Sequence, residues 1–114
     1  MTARAAKPLS GYRILVTGGA VRVGKAIVER LSRDGADVVI HCHHSWDAAE
    51  ALADGIRDRG GAAHVVSGDL TDPDACAALV DEAAALAGPL SGLVNNAAVF
   101  HKHPFSASDR AVIL

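Results

Sequence analysis

Four short stretches of this chain carry residue types that can do chemistry. The first is Thr17-Gly18-Gly19-Ala20-Val21-Arg22-Val23-Gly24, which follows a β-branched apolar run and opens a segment with helical spacing. Glycines at such a place let the backbone approach an anion with no side chain in the way. The unpaired N–H groups of the new helix then point at that anion. A strand-to-helix turn of this composition, at the start of a βαβ unit, suits the pyrophosphate of a dinucleotide. The plain alternative is an ordinary tight turn, which glycine serves equally well. The other stretches are His41-Cys42-His43-His44-Ser45, Gly68-Asp69-Leu70 and Asn95-Asn96-Ala97-Ala98, each just past an apolar run. If those runs are parallel strands, all four stretches gather at carboxyl ends, where ligands of open α/β sheets sit.

The elements that must position these stretches alternate in texture. Short apolar runs at 14–16, 38–40, 63–66 and 93–94 read as strands. Between them Val23, Ala26, Ile27 and Leu31, then Ala49, Leu52, Ala53 and Ile56, then Cys76, Leu79, Val80 and Ala83 recur at three and four residues. Each set would cover one helix face. Gly35 and Gly60 stand where a left-handed closing residue belongs. Ser45 is placed to cap the second helix and Asp72-Pro73 to start the third, which Gly88-Pro89 ends. The pattern predicts an α/β fold: a Rossmann-type doubly wound parallel sheet with right-handed crossovers and strand order 3-2-1-4, truncated after the fourth strand. Residues 1–114 then form a single domain, with 1–11 as a loose N-terminus.

The turn TGGAVRVGKAI resembles the Thr-Gly-x-x-x-Gly-x-Gly turn of short-chain dehydrogenases/reductases, with Arg22 in place of the middle glycine. Gly68-Asp69-Leu70 resembles the family's adenine-binding Asp and its neighbour. Leu93-Val94-Asn95-Asn96-Ala97-Ala98 resembles its Asn-Asn-Ala-Gly block, with Ala98 for the glycine. The three motifs come in order at the expected elements, across residues 12–105, and the resemblance implies that residues 1–114 are the N-terminal part only of an NAD(P)-binding Rossmann domain. The resemblance implies an NAD(P)-dependent oxidoreductase that transfers hydride to a carbonyl or pterin-like small molecule, and a homo-oligomer for the full-length form. It implies cofactor contacts from Thr17, Gly18, Gly19, Ala20, Arg22, Val23, Gly24, His43, His44, Ser45, Asp69, Leu70, Asn95, Asn96, Ala97 and Ala98. The arginine resembles the pteridine-reductase-like branch, where it accompanies NADPH use and a His-x-His-Arg-Ser stretch. Here His44 stands at the position of that second arginine.

The residues point the same way on the cofactor. An NAD-preferring site places an acid about 20 residues past the glycines to hold the ribose hydroxyls, whereas here no acid follows the second strand before Asp47. An acid would repel a 2′-phosphate; Arg22, the histidines and Ser45 can donate to it. NADP(H) is therefore expected over NAD(H). The competing reading makes Arg22 a solvated charge and the histidines the mere end of a strand. His41 and His43 alternate and so share a face, but Cys42 points away and no CxxC or HExxH spacing is present, so no metal site is expected. His64, His101 and His103 read as surface or loop residues. Asp69 has a plainer role near the Thr71-Asp72 cap, and Asn95 and Asn96 in fixing loop backbone. Phe100, His101, Lys102, His103 and Phe105 would lie towards the nicotinamide.

Composition bounds the remainder. The 114 residues are 50% hydrophobic and 21% charged, enough for one small domain. A net charge of −2 and a pI near 6.3 leave no basic footprint for nucleic acid. No apolar run approaches the roughly 20 residues of a membrane span, and the first ten residues lack a secretory core. Two cysteines make no disulfide framework, so a cytoplasmic location is expected. The resemblance implies a catalytic Tyr, a Lys four residues later, and an assisting Ser and Asn. A phenol with a pKa near 10 needs such a cation to act at neutral pH. The single tyrosine, Tyr12, precedes the first strand and no Tyr-x-x-x-Lys occurs, so no catalytic residue is assigned. Two readings stay open: the cofactor-binding part of an NADPH-dependent reductase, inactive as this chain alone, or a non-catalytic nucleotide-binding module or inactive truncated gene product.

Overall fold

The computed structural model describes residues 7–97. Among these, strands β1 (Arg13–Val16), β2 (Asp37–Cys42), β3 (Ala63–Ser67) and β4 (Gly92–Val94) alternate with helices α1 (Arg22–Arg33), α2 (Trp46–Asp58) and α3 (Pro73–Ala87). All pairings are parallel and the order is β3-β2-β1-β4, as the sequence pattern predicts. Val16 lies opposite both Ile40 and Val94, and Ile40 opposite Val65. The chain winds outward from β1 to β3, then crosses back to place β4 on the other side of β1. The carboxyl ends of β1 and β4 thus flank the point where the winding reverses, where open α/β sheets bind ligands.

Burial explains the sequence texture of β2. From Val38 to Cys42 every residue of this strand is buried, as in a strand covered on both faces. Val38, Ile40 and Cys42 pack with Ile14, Val16, Val28, Ala49, Ala53 and Ile56 on the side of α1 and α2. Val39 packs with Leu15, Val66, Leu79 and Ala83 on the side of α3. Ile56 is fully enclosed, and cutting such a side chain to alanine costs about 2–5 kcal/mol. The predicted face of α2 is the buried one at all four positions. Asp72 accepts from the Asp74 N–H with Pro73 in the first turn of α3, and Gly35 and Gly60 follow α1 and α2 at φ of +103° and +86°. Leu9 packs on the larger core, and its N–H donates to the Asp34 carbonyl at 2.8 Å.

Four details differ from the sequence reading. Helix α1 buries Gly24 and Val28, with Ile27 and Leu31 half-buried, while Val23 is 65% exposed and Ala26 is also exposed. A glycine is invisible to a hydrophobic pattern, yet Gly24 is the position that must face inward, and it rotates the stripe by one residue. Helix α3 covers the sheet with a narrow row through Leu79 and Ala83, leaving Val80 on its flank and exposed. Ser45 occupies the N-cap of α2 but its side chain makes no cap bond; its carbonyl accepts the Ala49 N–H at 2.9 Å. Finally, β2 ends at Cys42, so His43 does not continue the strand face that His41 belongs to.

Candidate cofactor site

The turn after β1 is bound to the loop after β4 through one buried hydroxyl. Thr17 is nearly inaccessible, and its Oγ1 accepts the N–H groups of Asn96 at 3.0 Å and Ala97 at 3.1 Å. The hydroxyl proton has the Val94 carbonyl at 3.3 Å and the Asn95 Oδ1 at 3.2 Å as acceptors. Asn96 Nδ2 donates back to the Gly18 carbonyl at 3.1 Å. Gly18 itself sits at φ +62°, where a Cβ would also press on Ala97, so both conformation and space call for glycine. A Cβ on Gly24 would run into the Gly18 carbonyl oxygen and lie 2.7 Å from Asn96 Nδ2. The glycines expected to clear room for an anion are demanded first by the contact of α1 with the turn.

His41 completes this structure, and it is the residue the sequence reading missed. It is 2% exposed. The Gly18 N–H donates to its Nδ1 at 2.9 Å and the Gly19 N–H to its carbonyl at 3.0 Å. Its Nε2 lies 2.9 Å from the Gly68 carbonyl. An N–H facing Nδ1 and a carbonyl facing Nε2 fix the tautomer: the proton is on Nε2, which donates to Gly68. Burial pushes the imidazole below its ordinary range, Gly68 opposes that shift, and His43 adds slightly to it. The available signal was a polar residue between Ile40 and Cys42 on an otherwise apolar strand, since a buried imidazole must find partners.

The remaining predicted residues form an exposed rim. Asp69 follows β3 with Oδ1 accepting the Thr71 N–H at 2.9 Å and hydroxyl at 2.7 Å. Those bonds hold its carboxyl below the usual carboxylate range, and His43 and His44 add to the effect. Leu70 is half-buried against the smaller core, and its carbonyl accepts the Cys76 thiol at 3.3 Å. His43 and His44 are exposed and stack with ring centroids 3.8 Å apart. Arg22 is exposed at φ +54°, the one non-glycine with positive φ among the described residues. A left-handed conformation costs a side-chain-bearing residue about 1 kcal/mol or more. A hollow of about 500 Å³ runs beside it between α1 and α2, past Lys25, Gly55 and Arg59.

The structure therefore brings Thr17, Gly18, Gly19, Gly24, Asn95, Asn96 and Ala97 together at the carboxyl ends of β1 and β4. Arg22 and Val23 open α1 beside them, and His43, His44, Ser45, Asp69 and Leu70 follow β2 and β3 at the same end. Ala20 is buried in the larger core, so only its backbone faces the turn. Ala98, with the aromatic and basic residues at 100–105, lies outside the described residues. Another hollow, about 640 Å³, lies at the opposite end of the sheet among Lys7, Arg33, Asp37 and Arg59, away from every stretch named above. The arrangement fits a dinucleotide: a fixed turn opening a helix for the pyrophosphate, an exposed carboxylate after β3, and exposed cationic or donor side chains beside α1.

This fold and this turn define a nucleotide-binding α/β protein, and its family follows. The family model for short chain dehydrogenases matches residues 12–113; the chain belongs to that family of oxidoreductases. A short chain dehydrogenase/reductase of Colletotrichum higginsianum is 42% identical over 94 residues, which cover 82% of this chain and 35% of that protein. Among solved structures, the FolM alternative dihydrofolate reductase 1 of Brucella canis, complexed with NADP, is 48% identical. It superposes with a TM-score of 0.75, covering 80% of this chain and 36% of that one. A short chain dehydrogenase of Burkholderia cenocepacia, also in complex with NADP, is 40% identical with a TM-score of 0.77, over 89% of this chain and 42% of that one. The chain spans about a third of the length of the curated relatives it matches. The FolM-like neighbours fit the pteridine-reductase-like branch to which Arg22 points.

Proposed function

We propose that this chain is the cofactor-holding part of an NADPH-dependent reductase acting on a carbonyl or pterin-like small molecule. The observation that carries the reading is Arg22: an arginine kept in a left-handed conformation at the mouth of the glycine turn. Strain of that kind persists where a side chain is needed, and no acid stands beside it after β2 to repel a 2′-phosphate. The two NADP-bound relatives support the choice.

In this reading the turn from Thr17 to Gly24 holds the pyrophosphate, Asp69 and Leu70 hold the adenine, and Arg22 with His43, His44 and Ser45 holds the 2′-phosphate. Asn95, Asn96, Ala97 and Ala98 border the nicotinamide half, and the bound nicotinamide supplies the hydride. Two free cysteines, one with its thiol pushed up by burial and by Glu50, suit a reducing cytoplasm. The whole enzyme is a homo-oligomer in the same reading. The 114 residues hold no Tyr-x-x-x-Lys pair, so this chain assayed by itself with NADPH and a panel of carbonyls and pterins should show no oxidation above blank. Reproducible turnover would contradict that.

Titration calorimetry tests the cofactor assignment. Removing one charge-assisted contact to a phosphate costs about 1.5–3 kcal/mol, roughly ten- to hundredfold in affinity. Arg22→Ala should lose that much for NADPH and little for NADH. Equal losses for the two would show that Arg22 does not read the phosphate.

A further inference from the structure

The exposed rim chooses between nicotinamide cofactors, but the buried His41 touches neither rim nor solvent, and its arrangement has a consequence for both cofactors. Its two ring nitrogens join two stretches that a dinucleotide must bridge: Nδ1 takes the Gly18 N–H of the glycine turn at 2.9 Å, and Nε2 meets the Gly68 carbonyl at 2.9 Å, one residue before Asp69. The backbone adds a third tie, Gly19 N–H to the His41 carbonyl, and a fourth joins Gly68 N–H to the Cys42 carbonyl at 3.2 Å. Without the ring, the first glycine of the turn would have a buried N–H with no acceptor.

We infer that His41 is a positioning residue of the cofactor site: its neutral imidazole splints the glycine turn to the end of β3, and taking up a proton releases the turn and weakens the binding of any dinucleotide. The inference rests on the cofactor reading above. The chemistry is a matter of donors. A neutral Nε2–H imidazole offers one lone pair, at Nδ1, and Gly18 N–H occupies it. Imidazolium has no lone pair, so a proton on Nδ1 faces the Gly18 N–H donor to donor, and the turn must move. Among the described residues no carboxylate bonds the ring to stabilise that cation. His43, past its own strand, disfavours it, and β1 brings the Gly18 backbone. β3 brings the Gly68 carbonyl, with the exposed Asp69 engaged by Thr71; α3 brings Leu79, and its Cys76 thiol is turned to Leu70.

This device acts in the opposite direction to the rim. Donors on the rim would help NADPH alone, whereas protonation at His41 harms NADPH and NADH alike. NADH affinity is therefore the clean reporter. In the full chain, NADH affinity should fall as pH drops below the ordinary histidine value of about 6.5, approaching a roughly tenfold loss per pH unit once the unliganded ring takes up its proton. His41→Asn, whose Oδ1 can still accept from Gly18 and gains no proton, should bind NADH within about threefold of the parent at pH 7.5 and show a flat profile. His41→Leu should lose about tenfold for both cofactors at every pH. Nitrogen-15 NMR of the unliganded chain supplies a readout independent of any variant. It should show His41 with its proton on Nε2, titrating below the ordinary histidine value, and pushed lower still when NADH is added, since binding and protonation oppose each other. A Nδ1–H tautomer, or NADH binding that ignores both pH and His41→Leu, overturns the inference while leaving the cofactor site standing. Failure of either cofactor to bind at pH 7.5 overturns the site, and this inference with it.

Discussion

Thr17, Gly18, His41 and Asn96 stand at the seam of β1, β2 and β4 with their polar atoms engaged by one another. Arg22, His43, His44 and Ser45 stand a few residues away, and no side-chain hydrogen bond among the described residues involves them; the two histidine rings simply stack. The first group is buried or half-buried, the second mostly exposed. The difference separates two tasks. In the proposed reading, holding a pyrophosphate falls to backbone that the fold must fix in any case to pack α1 on the turn. Telling one cofactor from another, in the same reading, falls to side chains that make no part of that packing. A chain built this way can exchange cofactor preference without rebuilding its core, and substitutions on the two sides should fail in different ways.

The largest effect belongs to Gly24→Ala. The added methyl meets the Gly18 carbonyl, which is backbone and cannot swing away, so urea unfolding should show a loss of about 3 kcal/mol or more, with binding of both cofactors gone. Stability within about 0.5 kcal/mol of the parent would mean that the turn is far more pliant than its contacts imply. Thr17→Val comes next. It keeps the shape but strands the Asn96 and Ala97 N–H groups, for about 2 kcal/mol of stability, and it should weaken NADPH and NADH by the same factor.

Arg22→Gly should separate the two tasks most plainly, because its effects have opposite signs. Glycine accepts a positive φ without strain, so melting should move upward by the equivalent of about 1 kcal/mol. NADPH affinity should meanwhile fall roughly ten- to hundredfold, with NADH nearly unchanged. An unstrained arginine, seen as no gain in stability, would remove the argument from φ. The smallest effect is one of pH. Below about 6.5 the affinity for NADH should fall through His41. Stability should follow His41: its folded-state pKa is lowered, so the unfolded chain takes up the proton first as pH drops. The contribution is full above about 6.5 and declines below it. A flat stability profile between pH 7 and 5 would contradict a buried, neutral His41.

Much of this was legible in the residues. Strand and helix order, the buried face of α2 and the Asp72-Pro73 start of α3 rest on local periodicity or cap chemistry, which the chain carries in itself, and the 3-2-1-4 sheet follows from the few ways parallel strands with right-handed crossovers can wind. What escaped rests on contacts across the sheet. The inward turn of Gly24 is set by Gly18 and Asn96, the latter 72 positions away. The role of His41 depends on Gly18 and Gly68, which only the β1-β2-β3 register brings to its two nitrogens. Val80 looked like core because spacing records a face and not its width. Ser45 sits at a cap position without making the cap, since an N-cap residue type permits that bond without enforcing it. The rim was read from residue type and place in the order of elements, and its location follows from the parallel sheet.

The most direct measurement is a backbone chemical-shift map of the chain titrated first with NADH and then with NADPH. The account predicts a common set of perturbed amides from Gly18 to Gly24, at Asp69 and Leu70 and at Asn95 to Ala97. A second set, at Arg22 and from His43 to Ser45, should respond to NADPH far more than to NADH. The same map for both cofactors, or shifts centred on the hollow by Lys7, Arg33 and Arg59 at the other end of the sheet, would contradict it.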